Sequence, residues 1–424
     1  FAPPIAGLPL AAYAAVALLL FGGVALVPAV VHALLAAAPP VRGALPLLAL
    51  QRARFQRRTA TAAVAGVVAS LALSVALTVM VASFRSGVIN WLTTALPADL
   101  YARSSGNAAA ADQAWLPPSF ADRAAALPGV QRVQALRAVP LTLAPGKPAV
   151  SLIAQPLARP VLAVPLVGPA ITARPGEIGV YVSEAVVALY GSTPGSQITL
   201  PLGGQAVQVR VLGVWRDYAR QFGAITIDDA DYRRLTGDTR INDLALWLTP
   251  GTEPATVQNT LRALLPDPTM LDFASSAELR KLSLRIFDRS FAVTYYLQVV
   301  AIAIGLIGIA ASLSAQVLAR RKEFGLLSHL GLTRGQIIGV VAGEGAAWVA
   351  AGTLVGLLLG LAVSVVLVDV VNPQSFHWTM DMVIPWGRLL ALCVAVLLAG
   401  TATAALSARS AAARQAVLSV KEDW

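Results

Sequence analysis

Residues 320–336 read RRKEFGLLSHLGLTRGQ and lie between two long apolar runs. The segment is short, charged and amphipathic, whereas each flanking run exceeds the roughly 20 residues that cross a bilayer core. Such a connection is typical of an elbow between two membrane-spanning helices. The sequence therefore predicts a membrane protein in which residues 319–336 form a loop at one side of the bilayer.

The composition of the whole chain favours the same class of protein. Of its 424 residues, 57% are hydrophobic and 13% are charged, whereas an average soluble protein has about 25% charged residues. The net charge of +10 could suggest nucleic-acid binding, but the basic residues cluster beside the ends of apolar runs, where they set membrane orientation. We therefore expect a lipid membrane as a partner and no nucleic acid.

Five apolar runs are long enough to span a membrane. They lie at about 8–35, 59–82, 292–318, 337–368 and 386–407. Small residues in the second run favour close packing against another helix rather than a binding site; they are Ala65, Gly66, Ala69 and Ser70. Residues 369–385 form a polar connection whose aromatic residues suit the membrane interface.

Residues 83–290 differ from these runs, since prolines, glycines and charges appear and no stretch could cross a membrane. Helical spacing and alternation predict both types of element. The predicted strands are 133–143, 151–158, 196–202 and 206–215, and the predicted helices are 183–190, 229–235 and 256–265. The mixture predicts one α+β domain, which could contain a β-rich insertion around 176–227.

Residues 275–290 predict an amphipathic helix that closes this domain. Ser275 or Ser276 can cap its start, and Glu278 lies in the first turn, as the helix dipole favours. The helix could lie on the membrane surface or stack on the next span, and the alternative is an ordinary helix of the soluble domain.

The basic residues give one consistent topology. They are dense at 42–58, 320–334 and 409–421, and these segments alternate with the domain at 83–290 and the loop at 369–385. The positive-inside rule then places the basic segments and the C-terminus in the cytoplasm, and the large domain outside. The odd number of spans and a start at Phe1 within an apolar stretch lead us to expect further sequence before Phe1.

Motifs of catalysis and cofactor binding are absent from the sequence. None of GxxxxGK[ST], HExxH, GxSxG and CxxC occurs, and the single cysteine, Cys393, cannot form an intrachain disulfide. Asp228, Asp229 and Asp231 could hold a cation, but acidic residues at a helix start explain them better. We therefore expect no catalytic residue, cofactor or metal site in this chain.

The order of spans and motifs forms a pattern. A span is followed by RRKEFGLLSHLGLTRGQI, a long span with Glu344, a loop and a final span, and the outer domain contains VYVSEAVVALYGSTPGSQITLPL and GAITID. The chain in this respect resembles FtsX/MacB-like permeases of ABC transporters, from about residue 60 onward. The residues that match the basic pair, the Glu and the Leu-Gly-Thr-Arg-like turn of that family are Arg320, Arg321, Glu323, Leu330, Gly331, Thr333 and Arg334.

The resemblance implies a non-catalytic permease subunit that pairs with a separate ABC ATPase dimer, which would bind the ATP and Mg²⁺. Residues 319–336 would be a coupling helix seated in that ATPase, with Phe324, Leu327 and Leu330 as apolar anchors. The alternative is a basic cytoplasmic loop without this role. The resemblance further implies export or membrane extraction of a hydrophobic or lipid-linked substrate, by mechanotransmission to the extracytoplasmic domain.

The first span departs from the simplest members of the family, which have four spans. This departure suggests the C-terminal half of a double-unit permease of a bacterial inner membrane, with its N-terminal half before Phe1. A signalling subunit that activates a periplasmic partner, such as a cell-wall hydrolase or a sensor kinase, is the alternative function. A membrane-anchored enzyme is a third class, for which the sequence contains no catalytic signature.

Glu344 falls within the fourth predicted span, and an acidic residue inside a membrane is a functional candidate. Because it lies near the cytoplasmic end of that span, it can instead reach the interface or pair with Arg334 or Arg321. We favour this structural interpretation over a role in transport.

Overall fold

The computed structural model divides into two compact units. The helical unit comprises Phe1–Phe84, Arg289–Val371 and Met380–Trp424, and the sheet unit comprises Arg85–Asp288 and Asn372–Thr379. The residues described are 9–39, 42–55, 57–104, 115–157, 164–265, 267, 271–319, 323, 326–327 and 329–418.

The helices and strands follow one another along the chain. The order is α1 (Leu10–Ala37), α2 (Ala44–Phe55), α3 (Arg57–Ala95), β1 (Leu100–Ser104), α4 (Pro118–Ala125), β2 (Val130–Leu141), β3 (Val150–Gln155), β4 (Gly179–Ser183), α5 (Glu184–Tyr190), β5 (Gln197–Leu202), β6 (Gln205–Trp215), β7 (Ala224–Asp228), α6 (Asp229–Thr236), β8 (Asp243–Leu248), α7 (Pro254–Ala263), β9 (Leu271–Ser275), α8 (Ser276–Ala319), α9 (Arg334–Val366), a π-helical segment (Leu367–Val371), α10 (Asn372–Phe376) and α11 (Trp386–Leu418).

Within the described residues, five helices are long and apolar enough to cross a membrane. They are Leu10–Ala37, Val64–Ala95, Ser276–Ser312, Arg334–Phe376 and Trp386–Arg409. Together with the mixed sheet they confirm the predicted fold class, a membrane-spanning α-helical bundle with one α+β domain.

Glycines on one face of α9 set its distance from α3. A Cβ atom would lie 2.9 Å from Val64 Cγ1 if added to Gly352, and 3.1 Å from Leu71 Cβ if added to Gly356. At Gly360 it would lie 2.6 Å from Val75 Cβ. The missing side chains therefore let the two backbones approach closely, as small residues do in membrane helices.

The small residues predicted on the second span face another helix. A Cβ atom added to Gly305 of α8 would lie 2.5 Å from Ser70 Oγ and 3.3 Å from the carbonyl oxygen of Gly66. One side of α3 thus receives α9 and another receives α8. The described core of the helical unit continues onto α1, α2 and α11.

Helix α8 is longer than the elements expected from the sequence. Where the pattern suggested an amphipathic helix at 275–290 and a separate span at 292–318, the structure has the single helix Ser276–Ala319. Its start is fixed by reciprocal hydrogen bonds, in which Glu278 N donates to Ser275 Oγ and Ser275 N donates to Glu278 Oε2. Ser275 is therefore the cap, and no proline or glycine interrupts the helix until Gly305.

The connection expected at 369–385 is partly helical. The chain continues through a π-helical segment, Leu367–Val371, into the short helix Asn372–Phe376. Pro373 explains the widened turn, since a proline has no N–H to donate and its ring clashes with the carbonyl four residues earlier. Only the residues after Phe376 and before Trp386 leave helical structure.

The sheet unit contains a nine-stranded mixed sheet. Its strand order is β5-β6-β4-β7-β3-β2-β8-β1-β9. Strand β4 runs parallel to β6, and β3 runs parallel to β7, whereas the other described pairs are antiparallel. One large core lies on β3–β7 and a second on β1, β2, β8 and β9 with α4 and α7.

Candidate functional site

The three basic segments of the sequence meet at one end of the helical unit, which we call the basic end. Arg52 of the first segment forms an ion pair with Glu323 of the second. Leu327 packs against the small cluster of Val341 and Ala408, which brings the second segment to the start of the third. The first two segments and the residue that precedes the third thus lie at the same end of the helical unit.

One arginine of α2 joins two carboxylates at this end. Arg52 Nε lies 3.3 Å from Glu344 Oε2, and Arg52 Nη2 lies 3.4 Å from Glu323 Oε2. The exposed fractions of the side chains are 13% for Arg52, 4% for Glu344 and 53% for Glu323. The pair with Glu344 is therefore buried, whereas Glu323 forms its pair at the surface.

Helix α2 is held to its neighbours on both sides of Arg52. Arg54 Nε donates to the carbonyl oxygen of Leu35 at 2.8 Å, and its Nη2 donates to that of Ala38 at 2.6 Å. Trp348 Nε1 donates to the carbonyl oxygen of Ala53 at 3.3 Å. These bonds fix α2 to the end of α1 and to α9, because they use carbonyls that a helix end leaves unpaired.

The coupling segment, residues 319–336, contains a helix end followed by a sharp turn. Leu332 N donates to the carbonyl oxygen of Leu327 at 3.1 Å, and Gly331 has φ +92°. This is the left-handed glycine cap that commonly ends a helix. Thr333 then caps α9 in a capping box with Gln336, so the turn has a capped helix on each side.

The described residues of the coupling segment differ in exposure. Leu330 is 69% exposed and Leu326 is 62% exposed, whereas Leu327 is half-buried against its own bundle. Leu326 and Leu330 are thus exposed apolar side chains of this segment, whereas the role of the half-buried Leu327 as an anchor stays a prediction. Arg334 is the first residue of α9. The expected site residues Arg320, Arg321 and Phe324 lie outside the described residues.

Glu344 was expected to reach the membrane interface or to pair with Arg334 or Arg321, which are near in sequence. In the structure it is buried, and the ion pair shown is with Arg52. Arg52 lies 292 positions away. The sequence indicated only that an acidic residue buried in a span requires a cation nearby, without showing which basic segment supplies it.

The aspartates considered for a cation have other partners. Asp228 accepts a hydrogen bond from Ala230 N as the cap of α6. Asp229 pairs with Arg233 at 3.0 Å, and Asp231 pairs with Arg234 at 2.6 Å. No group of three or more metal-ligating side chains was found in the described part of the chain.

A second cluster, in the sheet unit, holds the segment Asn372–Thr379. We call it the Thr379 clamp. Thr379 N donates to Glu184 Oε2 at 3.1 Å, Arg216 Nη2 donates to Thr379 Oγ1 at 3.0 Å, and Tyr218 Oη donates to the carbonyl oxygen of Thr379 at 3.0 Å. Glu184 lies at the start of α5, whereas Arg216 and Tyr218 follow β6.

Aromatic rings extend the Thr379 clamp. Tyr218 stacks edge-on against Trp378 with ring centroids 4.4 Å apart, and against Trp91 at 5.8 Å. A Cβ atom added to Gly87 would lie 2.9 Å from Tyr218 Oη, so the ring needs a glycine there. Burial lowers the pKa of the neighbouring His377 imidazole, whose backbone φ is +62°.

Removal of the Glu184 carboxylate is expected to release this segment. Hydrogen bonds to a charged group contribute about 1.5–3 kcal/mol each, so Glu184→Ala should speed amide exchange at Thr379 by about tenfold or more, measured by hydrogen–deuterium exchange. Glu177→Ala is the matched control, since Glu177 pairs with Arg210 at 3.2 Å in the same unit. Equal exchange at Thr379 in both variants would contradict the clamp.

The comparisons with known proteins agree with this architecture. Residues 297–416 match the model of the FtsX-like permease C-terminal family. The chain is 28% identical over 358 residues to an uncharacterized ABC transporter permease protein of Mycobacterium tuberculosis, which is 80% of this chain and 40% of that protein. The chain thus spans less than half the length of this relative.

Two solved structures are similar to the chain at low identity. One is the periplasmic region of MacB from Actinobacillus actinomycetemcomitans, with 12% identity, a TM-score of 0.33 and coverage of 45% of this chain and 94% of that one. The other is the extracellular domain of the noncanonic ABC-type transporter YknZ from Gram-positive bacteria, with 15% identity, a TM-score of 0.30 and coverage of 42% and 98%. From the family model and the relative, this chain carries an FtsX-like permease C-terminal domain and is homologous to an ABC transporter permease.

Proposed function

We propose that this chain couples ATP hydrolysis by a separate ABC ATPase dimer to export or membrane extraction of a hydrophobic or lipid-linked substrate. The observation that carries the proposal is the coupling segment at the basic end, which exposes Leu326 and Leu330 and ends at the glycine cap of Gly331. Exposed apolar side chains rimmed by charge are typical of a protein interface. ATP and Mg²⁺ would be bound by the partner, whose two subunits would need a second coupling segment from another permease unit.

The proposed orientation places the basic end in the cytoplasm of a bacterial cell. Basic loops remain on the cytoplasmic side of the inner membrane, and the coupling segment would there face the ATPase. In this orientation the sheet unit lies on the extracytoplasmic side of the membrane, and the C-terminus lies in the cytoplasm.

The lengths of two helices support mechanotransmission. Helix α3 has 39 residues and α8 has 44, which correspond to about 58 and 66 Å at 1.5 Å per residue. Both exceed the roughly 30 Å of a bilayer core. Each helix contains residues of both units.

Two buried serines of the helical unit use their protons within their own helices. Ser74 Oγ donates to the carbonyl oxygen of Ser70 at 2.8 Å, and Ser364 Oγ donates to that of Leu361 at 2.7 Å. Serines in membrane helices commonly bond in this way, and the proposed mechanism needs no aqueous path past them.

Leu330→Ser tests the docking surface. An apolar anchor at an interface contributes more than about 1.4 kcal/mol, which is tenfold in affinity. We expect the Kd for the partner ABC ATPase to rise about tenfold, measured by titration in nanodiscs, with proportionate loss of stimulated ATP hydrolysis at subsaturating ATPase. Phe222→Ser is the control, because Phe222 is 48% exposed but lies in the sheet unit.

Vesicle assays separate the two candidate functions. Extraction or export of a lipid-linked probe that depends on ATP and on Leu330 would support transport. Stimulated hydrolysis without movement of such a substrate would contradict the transport proposal and support a signalling subunit. An unchanged Kd in Leu330→Ser would contradict the docking surface itself.

A further inference from the structure

A single guanidinium connects the coupling segment to the fourth spanning helix. Arg52 Nη2 reaches Glu323 at 3.4 Å and Arg52 Nε reaches Glu344 at 3.3 Å. We propose that Arg52 is a positioning residue for coupling, which fixes the coupling segment relative to α9 and passes its displacement through α2. This inference rests on the proposed function, since it assumes that an ATPase moves the coupling segment.

We call this proposed connection the relay. The two ion pairs of Arg52 differ in burial, and therefore in how easily each can be separated. Glu344 is 4% exposed, so its separation from Arg52 would leave a charge buried without that counterion. Glu323 is 53% exposed, and an exposed pair is weak because water and salt screen it. Arg52 therefore stays with Glu344, and the pair with Glu323 is the link through which a movement of the coupling segment reaches Arg52.

Helix α2 is attached firmly enough to transmit such a displacement. Arg54 holds the end of α1 through two carbonyl oxygens, and Trp348 of α9 donates to Ala53. A Cβ atom added to Gly343 would lie 3.1 Å from Ala49 Cβ, so α2 and α9 are in close contact one turn before Arg52. A force on Arg52 thus acts on a helix that is joined to α9 at three places.

A simpler role for Arg52 is neutralisation of Glu344. That role needs a cation but not the planar fork that lets one arginine hold two acceptors in fixed directions. Lysine at position 52 would preserve the cation beside Glu344 and lose the second link. The two roles therefore differ in what Arg52→Lys does to coupling.

A double-mutant cycle on the full chain with the partner ABC ATPase of the proposed function, in nanodiscs, tests the relay. Glu323→Gln and Arg52→Lys should each lower the stimulated turnover at saturating ATPase about two- to fivefold, the range for an exposed ion pair. Because both remove the same link, the double variant should lose no more than either single variant. Arg52→Lys, which lies outside the coupling segment, should leave the Kd for the ATPase and the melting temperature unchanged, and Glu323→Asp should restore part of the turnover.

Asp231→Asn is the matched control, since Asp231 forms an exposed ion pair with Arg234 at 2.6 Å in the sheet unit. It should leave turnover unchanged. Single effects that multiply in the double variant would overturn the relay, because Glu323 would then act alone. An unchanged turnover in Arg52→Lys would overturn it too.

A cross-link provides a measurement that does not alter Arg52. Ala49→Cys with Gly343→Cys, in a Cys393→Ala background, places two thiols near disulfide distance. Since the relay requires α2 and α9 to move together, oxidation should retain the stimulated turnover, and loss on oxidation would overturn the relay. A wild type that neither binds nor stimulates the ATPase would instead overturn the proposed function, and the relay with it.

Discussion

Arg52→Leu is expected to lower the free energy of unfolding of the helical unit by about 3–5 kcal/mol, the cost of removing one partner from a buried ion pair. Its partner Glu344 is 4% exposed and lies 3.3 Å away. Leucine cannot donate to the carboxylate, which would stay buried without this counterion. The measurement is equilibrium unfolding in mixed detergent micelles, followed by tryptophan fluorescence.

Two further variants show whether the buried charge causes the loss. Arg52→Leu with Glu344→Leu should recover most of the stability, because replacement of a buried pair by apolar residues is often neutral or stabilising. Arg85→Leu removes the exposed pair of Arg85 with Asp288 and should cost only about 0–1 kcal/mol. Equal losses in Arg52→Leu and Arg85→Leu would show that the pair with Glu344 does not hold α2 to α9.

Gly360→Ala is expected to destabilise the helical unit by about 1–3 kcal/mol, as overpacking of a filled core does. The new Cβ atom would lie 2.6 Å from Val75 Cβ and 2.7 Å from the carbonyl oxygen of Ala72. Both neighbouring atoms are fixed by the α3 backbone, so neither can move aside by a rotamer change. The same unfolding measurement gives the size of the effect.

Gly339→Ala is the control on the same helix. A Cβ atom at Gly339 would meet nothing within 4 Å, and alanine is favoured over glycine in a helix by about 1 kcal/mol. Gly339→Ala should therefore be neutral or stabilising, with a sign opposite to that of Gly360→Ala. If both substitutions stabilise the protein, α3 and α9 are farther apart than the structure places them.

The long apolar helices and the longer strands could be predicted because each has a clear local pattern. Strands β5 and β6 alternate, and the sequence indicated both. Strand β4 has the sequence GVYVS, and nearly all of its side chains are buried, as in strands covered on both faces. It therefore shows no alternation of apolar and polar residues that would distinguish it from the start of α5. Helix α8 was divided because its first turns are charged, although a change in polarity does not end a helix.

The site was only partly predictable, because local sequence patterns do not show which distant helices and side chains come into contact. The glycines at positions 352, 356 and 360 form a readable small-xxx-small repeat, yet the repeat does not say which helix will cover it. Similarly, the adjacent leucines Leu326 and Leu327 cannot be distinguished from the sequence. Leu327 packs against Val341 and Ala408 in the structure, whereas Leu326 is exposed.

The pairing of β1 with β9 bears on how such a chain can be altered in evolution. The two strands pair over five residues, and Ser276 N donates to the carbonyl oxygen of Asp99 at 3.2 Å. The chain consequently enters the sheet at β1 and leaves it at β9, which are adjacent. Domains that tolerate insertion into another fold likewise have their two ends close together. A different domain with equally spaced ends could replace the sheet unit between α3 and α8, so recombination could exchange this domain while the bundle keeps its coupling segment.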